Sequence, residues 1–582
     1  MIKIGRRGGR DFTIDVEPLA RHLHVVGASG TGKSKFLEWL ACQHIDRRHG
    51  VCVIDPHGAL ADGVVAYCAS LDADRHGRRI HVVDIADPQW CLGFNPLSVD
   101  GLVDPTLRAD TMVDTISEVW GGEDTNKLPL LATNLDLVFY ALVSNRLTLV
   151  EASALTRTKD NEDIRGLLTS RLPDFVYDEY WRDLRDLKDH ELRESFGSTR
   201  RRLLRFLRPA VRRMVGQSKT TINLRRVMDE GEILIVNLAG KGVVSDEVSR
   251  VIGAMLLAEF RLAAMGRTVE LGRRHPYYVI VDECYDYLTG DVERSLDETR
   301  KFGLHLTLAH QRLGQLRRRS ELIYNGVMGG AQTKVVFGGL ADEDAEIMAR
   351  EIMRTTFDLE RPKRSLDKPV VVGYERIWLR GYNTSDGYVD TAGTVEGENW
   401  AAVSGASAAA GQSFAIDADG NPTPYPVATQ EVSGTSDAFS RGGIITNTRA
   451  RGTTHNAGSS DQEALAPILQ TMTTQVHSLE EEVHRAIVTL REQPNQRAIV
   501  KLRGQPAKGV TIPTIREALV RPERVEAFKT RVKEQSAYLT PMHVAEAEIE
   551  QRRADLGLPS FDEQLREMED DAPFKEPRWS ER

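Results

Sequence analysis

Short, uniformly apolar runs alternate with stretches of helical spacing in two separate parts of the chain. In the first part LHVV (23–26), VCVID (51–55) and IHVVDI (80–85) read as strands, with helices after residue 33 and near 59–70. In the second part the strands are ILIVNL (233–238), YYVIVDE (277–283), LHLTLAHQ (304–311) and TKVVF (333–337), with helices near 246–266 and 291–302. Fully apolar strands that alternate with helices predict a parallel sheet covered on both faces. Between the two parts, residues 101–215 become poor in glycine after Gly122 and mix charged and apolar residues at helical spacing, which predicts an all-α insertion. One sheet is therefore expected to draw strands from both flanks of that insertion.

Beyond the second part the pattern weakens. Residues 384–460 are rich in Gly, Ser, Thr, Ala and Asn and poor in large apolar residues, so a low-complexity linker is expected. Leu469, Met472, Val476, Leu479, Val483, Ala486 and Leu490 then form a heptad stripe. The stripe is short for a coiled coil, and packing on a neighbouring domain is the expected use. The predicted organisation is 1–100 and 216–383 as two parts of one α/β domain, 101–215 all-α, 384–460 linker, and 461–582 a mostly helical region ending in the acidic tail EMEDDAPFKEP.

A chain of 582 residues with 41% apolar content can bury a large core, and a net charge of −9 excludes a uniformly basic surface. The five cysteines, Cys42, Cys52, Cys68, Cys91 and Cys284, contain no CxxC pair and read as core residues of a reducing compartment. No secretory signal is visible. The most apolar stretch, 251–265, carries Glu259 and Arg261 and reads as a buried helix. No integral membrane span is expected. The expected location is the cytoplasm, or a peripheral position at the inner face of a membrane.

The strongest chemical signal is GASGTGKS, which fits G-x-x-x-x-G-K-[ST] between an apolar strand and a helix. Gly27, Ala28, Ser29, Gly30, Thr31, Gly32, Lys33 and Ser34 would cradle the phosphates of ATP. The glycines let the backbone N–H groups turn inward, and the following helix adds its positive end. Lys33 would reach the β- and γ-phosphates, and Ser34 would ligate Mg²⁺. Asp282 and Glu283 close a fully apolar strand, a costly position for two carboxylates unless a cation uses them. Asp282 is the candidate for the metal shell and Glu283 for polarising the attacking water. Gln311, at the tip of another strand, is a candidate sensor of the γ-phosphate or an ordinary loop glutamine. Arg300, at a helix end, is a candidate arginine finger or a solvated charge favoured by the helix dipole. The predicted fold class is α/β, a RecA-like P-loop ATPase domain with a mostly parallel sheet, interrupted by an all-α domain.

RHLHVVGASGTGKS, VCVIDPHGALAD, GFNPL (93–97), ILIVNLAGKG, VSRVIGAMLLAEF, YYVIVDECYDYL, ETRKFGLHLTLAHQRLGQL and TKVVFGGLADEDA occur in that order. The series resembles the conjugative coupling proteins of type IV secretion (TraG/TraD type), within the HerA–FtsK superfamily of DNA-pumping ATPases. It covers roughly residues 20–110 and 210–350. The resemblance implies a hexameric ring that hydrolyses ATP and threads DNA, with Arg300 as finger and Gln311 as sensor. It also implies relaxase and channel subunits as partners, and gives Asp55 of DPHG a supporting role. Membrane-embedded members carry N-terminal transmembrane helices. The motor here begins near Met1, so a soluble member, or one that docks on a separate membrane subunit, is expected.

Residues 195–228 hold no Asp or Glu but contain Arg200, Arg201, Arg202, Arg205, Arg208, Arg212, Arg213, Lys219, Arg225 and Arg226. Such a block suggests non-specific, salt-sensitive phosphate contact, or the solvated face of an amphipathic helix. Arg201, Arg205, Arg208, Arg212, Arg317 and Arg318 are the DNA-contact candidates. Two other functions are compatible with the same motifs: a HerA-like motor that works with a nuclease in repair or phage defence, and a slowly hydrolysing, nucleotide-gated assembly platform.

Overall fold

The computed structural model describes residues 1–15, 21–71, 77–99, 104–121, 129–156, 162–173, 181, 182, 184, 187–218, 222–270, 273–290, 292–353, 369–385, 409–416, 422–432, 456–471, 478–515, 517–561 and 563. The chain divides into two compact units, Met1–Phe357 with Leu479–Arg582, and Asp358–Ser478. In chain order the strands are β1 (Ile2–Arg7), β2 (Arg10–Ile14), β3 (Leu23–Val26), β4 (Gly50–Asp55), β5 (Ile80–Asp84), β6 (Trp90–Leu92), β7 (Ile233–Asn237), β8 (Tyr277–Val281), β9 (Leu304–His310) and β10 (Thr333–Phe337). They continue with β11 (Pro369–Ser385), β12 (Ala409–Ile416), β13 (Pro422–Val432), β14 (Asn456–Thr471), β15 (Arg497–Lys501), β16 (Lys508–Thr511) and β17 (Leu539–Pro541).

The first unit is built on an eleven-stranded sheet in the order β2-β1-β16-β15-β10-β3-β9-β8-β4-β7-β5. From β10 to β5 every neighbouring pair is parallel. Every residue of β3, β4, β7, β8, β9 and β10 is buried, as uninterrupted apolar runs covered on both faces require. Helices Lys33–Asp46, Ala59–Ser70 and Pro522–Gln535 supply Phe36, Leu40, Val64 and Phe528 to the core on one face. The other face packs against Asp246–Met265 and the helical insertion, through residues such as Met255, Phe260, Phe139 and Phe206.

The insertion contains helices Pro105–Gly121, Pro129–Ser144, Asp189–Leu203 and Pro209–Val215. Glu259, inside helix Asp246–Met265, is neutralised by Arg108 of the insertion. That helix is therefore tied into the protein interior. Among the described residues no helix is long and apolar enough to cross a membrane. All five cysteines are buried and free.

The C-terminal part carries helices Leu479–Arg491, Pro522–Gln535 and Met542–Asp555, together with short strands that the sequence reading did not name. Among its helices, β15 extends the main sheet antiparallel to β10, β16 pairs antiparallel with β15, and β1 pairs with β16. The two chain ends thus cover the β10 edge, where unpaired backbone groups would otherwise face water. β17 pairs with β6, and Arg552 of helix Met542–Asp555 bonds the buried Glu151 of the insertion at 3.0 Å. The heptad stripe is split. Leu469 lies in β14, Met472 and Val476 fall outside the described residues, and Leu479 is exposed. Val483, Ala486 and Leu490 are buried on helix Leu479–Arg491, which packs against helix Asp342–Ile352.

The second unit is a four-stranded antiparallel sheet, β13-β12-β11-β14. β11 and β14 pair along their lengths, from Pro369↔Thr471 to Ser385↔Asn456. Strands thus occupy parts of the expected linker 384–460, and residues 369–383 belong to this unit rather than to the α/β domain. Small polar residues do not oppose strand pairing, because ladder hydrogen bonds come from the backbone. Apolar content was therefore a poor guide here. The acidic tail lies outside the described residues.

Burial holds several histidines neutral. His22 and His310 are pushed down to about 4, chiefly by burial, and His24 and His44 are lowered further by the same cause. The unfolded chain binds these protons below about pH 6.5, whereas the folded chain does not until much lower pH. The histidine contribution to stability is therefore expected to be level above pH 7. It should fall as pH drops from about 6.5 toward 4, by up to about 1.4 kcal/mol per pH unit for each histidine. Denaturant midpoints at pH 7.5, 6.0 and 5.0 test this, and a flat series would contradict it.

Candidate nucleotide site

β9 lies between β3 and β8, with Val26 opposite His310 and Leu308 opposite Val281. The C-terminal tips of three adjacent parallel strands therefore form a row, and each leads into one sequence-predicted element. The Gly27–Ser34 loop follows β3, Asp282 and Glu283 follow β8, and Gln311 follows β9.

The loop is shaped by close approach and by backbone sign. A Cβ on Gly27 would sit 2.4 Å from Cβ of Phe337, so only glycine lets the loop leave β3 beneath β10. Gly32, at φ 105°, precedes helix Lys33–Asp46 in a conformation that side chains disfavour. The loop is also held from outside. Ala28 N–H donates to the Gly338 carbonyl at 3.1 Å, and Gln496 N–H donates to the Thr31 carbonyl at 3.1 Å.

Ser34 Oγ donates to Asp282 Oδ2 at 3.0 Å, while Asp282 Oδ1 accepts from Glu283 N–H at 3.0 Å. Gln311 Nε2 donates to Glu283 Oε1 at 2.5 Å. Glu283 Oε2 is buried and has no hydrogen-bond partner among the described residues. Glu283 also sits at φ 46°, a strained conformation for a residue with a side chain. Burial raises the pKa of Asp282 and of Glu283. The Ser34 bond and the Lys33 charge oppose this at Asp282, and the Gln311 bond opposes it at Glu283. Burial lowers Lys33, opposed by the charges of Glu283 and Asp282. Three buried ionisable groups thus compensate one another incompletely. A divalent cation would favour both carboxylates, and a phosphate would favour Lys33. The Ser34 hydroxyl and Asp282 carboxylate suit a hard cation, and the unpartnered Glu283 oxygen suits a water.

Asp55 has a different role. Its Oδ1 accepts from His57 N–H at 2.8 Å and its Oδ2 from Ala61 N–H at 2.9 Å, so it ties the DPHG turn to the helix that follows. Arg300 is exposed in a turn before β9, at the opposite end of that strand from Gln311. At about 3.3 Å per residue it stands roughly 20 Å from this chain's own phosphate loop.

The six candidate DNA-contact arginines do not form one set. Arg212 is buried, pairs with Glu546, and lies 4.2 Å over the Phe561 ring. That corrects its reading as a DNA contact, because its charge is spent within the fold. Arg205 pairs with Glu247. Arg317 pairs with Glu343 at 2.8 Å and stacks 4.3 Å over Tyr324. Arg201, Arg208 and Arg318 are exposed. Glu247 and Glu546, which neutralise Arg205 and Arg212, come from other segments, so a count of charge within the block could not reveal them. Sequence reasoning also missed Gln496 and Gln315. The apolar AIV of β15 was a faint signal for the first. For the second, Gln315 Oε1 accepts from the N–H groups of Gln311 and Arg312, and a Gln three residues into a helix was the available signal.

Residues 2–260 match the family model described as Helicase HerA, central domain. The chain shares its fold with the bacterial conjugative coupling protein TrwBdeltaN70 in an unbound monoclinic form. The TM-score is 0.51 at 15% identity, over 90% of this chain and 91% of that one. Plasmid coupling protein TrwB with the GTP analogue GDPNP matches at TM-score 0.50 and 13% identity, over 90% and 92% of the chains. TrwB with a non-hydrolysable ATP analogue matches at TM-score 0.50 and 14% identity, over 90% and 92%. No curated protein matches in sequence.

Arg212→Ala is expected to destabilise the protein by about 2 kcal/mol, because it removes a charge-assisted hydrogen bond to Glu546 and the stacking on Phe561, while Arg213 still holds the carboxylate. Denaturant titration measures this. A change under about 0.5 kcal/mol, the usual range of surface substitutions, would place Arg212 back on the surface.

Proposed function

We propose that this chain, which matches the HerA central domain in sequence and the coupling proteins in fold, is an ATP-hydrolysing DNA translocase of the coupling-protein type. The observation that carries the proposal is the convergence of Ser34 with Asp282 and of Gln311 with Glu283 at the tips of β3, β8 and β9. In this reading Gly27–Ser34 wrap the triphosphate, Lys33 binds its β- and γ-phosphates, and Ser34 and Asp282 hold Mg²⁺. The metal neutralises charge that develops on the transferred phosphoryl group. Glu283 orients and polarises water through its free oxygen, and Gln311 senses the γ-phosphate while steadying Glu283.

Translocation requires a second subunit and a DNA contact. We assign the oligomer as a ring, hexameric by resemblance. Arg300, too far from its own phosphates, serves the neighbouring subunit's γ-phosphate. DNA is gripped without sequence preference by the exposed Arg201, Arg208 and Arg318. Relaxase and channel subunits are the partners this reading implies. The match to a HerA domain favours one second reading, the same motor working with a nuclease.

DNA-stimulated ATP hydrolysis tests the proposal. Lys33→Ala and Glu283→Gln are each expected to lower turnover by roughly 100-fold or more. Arg201→Ala with Arg208→Ala and Arg318→Ala should weaken DNA binding and flatten its log–log salt slope by about one for each DNA phosphate left unneutralised. Undiminished hydrolysis in Glu283→Gln would refute the site. Hydrolysis without displacement of a protein block from DNA would favour the assembly platform.

The finger has its own test. Arg300→Ala and Lys33→Ala chains should each be inactive. Mixed, they should regain activity, because some interfaces then combine an intact loop with an intact Arg300. No recovery on mixing, with oligomers intact, would remove Arg300 from the neighbour's site.

A further inference from the structure

Directly before Gln311, His310 points into the sheet's buried face and meets His24 of β3. The two rings stack with centroids 4.9 Å apart, and their Nε2 atoms are 2.7 Å apart. Both side chains are fully buried. Their proton positions follow from their partners. His310 Nδ1 faces the Arg312 carbonyl at 3.0 Å, which only accepts, so Nδ1 carries the proton. His310 Nε2 is then a bare acceptor, and His24 Nε2 must donate to it. His24 Nδ1 is left without a proton and without a hydrogen-bond partner among the described residues.

The chain His24 Nε2–H to His310, and His310 Nδ1–H to Arg312, ends on the carbonyl of the residue that follows the sensor. Gln315 holds the two preceding peptides, through the N–H groups of Gln311 and Arg312. We propose that His310, oriented by His24, is a positioning residue that fixes the β9 tip so that the Gln311 amide stays on Glu283. His24 lies on the strand that enters the phosphate loop. The pair therefore ties the loop's strand to the sensor's strand below the site. The charged groups that face the pair are Lys334 toward His24 and Lys33 toward His310. Both are cations, and with burial they keep the pair neutral. This is required, since a second proton on His310 would set two N–H groups against each other. The inference rests on the ATPase reading of the site.

Steady-state hydrolysis by the full chain, with saturating DNA, tests it. Asn at 310 places its amide nitrogen where Nδ1 stood, and Gln at 24 places one where Nε2 stood. His310→Leu is expected to lower kcat roughly 10–100-fold while KM for ATP changes less than about threefold, the pattern of a misplaced catalytic group. His310→Asn and His24→Gln should recover most of that loss. If His310→Leu fails to fold, the Asn and Gln chains decide. Activity within about threefold of the parent supports the role, and folded but inactive Asn and Gln chains overturn it. A parental kcat in His310→Leu, or a loss confined to KM, also overturns it. Glu283→Gln measured alongside separates the two failures. If that chain still hydrolyses ATP the site reading itself falls. If it is dead while His310→Leu is unimpaired, only the positioning role falls.

Discussion

The hydrogen bond between the Ser34 hydroxyl and the Asp282 carboxylate is the constraint on which the rest of this molecule turns. It joins residues 248 positions apart, and it forms only if β3, β9 and β8 lie side by side, in parallel and in the right register. Fully apolar strands enforce that arrangement, since each must be covered on both faces. The same burial makes the site chemically demanding. Asp282, Glu283 and Lys33 all sit where their charged forms are disfavoured, and each leans on the others. Such a cluster is tolerable in a folded chain and is best satisfied by a metal and a phosphate.

Precision at the site comes from parts far from it in sequence. β10 supports the loop through Phe337 and Gly338, and the residue before β15 supports it through Gln496. The C-terminal strands thus do two things at once. They cover the edge of the parallel sheet, and they hold the phosphate loop against movement. The strained backbone at Glu283 fits this setting, because a conformation disfavoured in isolation persists only where its surroundings over-determine it.

The basic segment illustrates the opposite relation between local pattern and structure. A run with ten cationic side chains and no acid between residues 195 and 228 looks like one surface. Folding distributes it. Arg212 and Arg213 grip Glu546, Arg205 meets Glu247, and Arg226 meets Glu230. Charge alone marks a segment as able to bind anions, and a fold's own carboxylates compete for it.

Much of the molecule was legible beforehand because its signals are local. The loop, its strand and its helix are consecutive, from Leu23 to Asp46, and the acids follow their strand directly. The seven parallel strands with their intervening helices, and the helical insertion between two halves, followed from hydrophobic periodicity. Less was legible in β1 and β15, whose few apolar residues are flanked by charged ones, and in β12 and β13, whose small polar residues leave the pairing to the backbone. The sequence by itself determined which segments must be buried, where the backbone must turn, and which groups could handle a phosphate. The tertiary structure alone decided which charges neutralise each other, that two histidines meet behind the sensor, and that the chain's end braces its beginning. Most of those pairings join residues far apart in the chain, such as Arg212 with Glu546 and His24 with His310, and their energy depends on proximity in space, which no local pattern encodes.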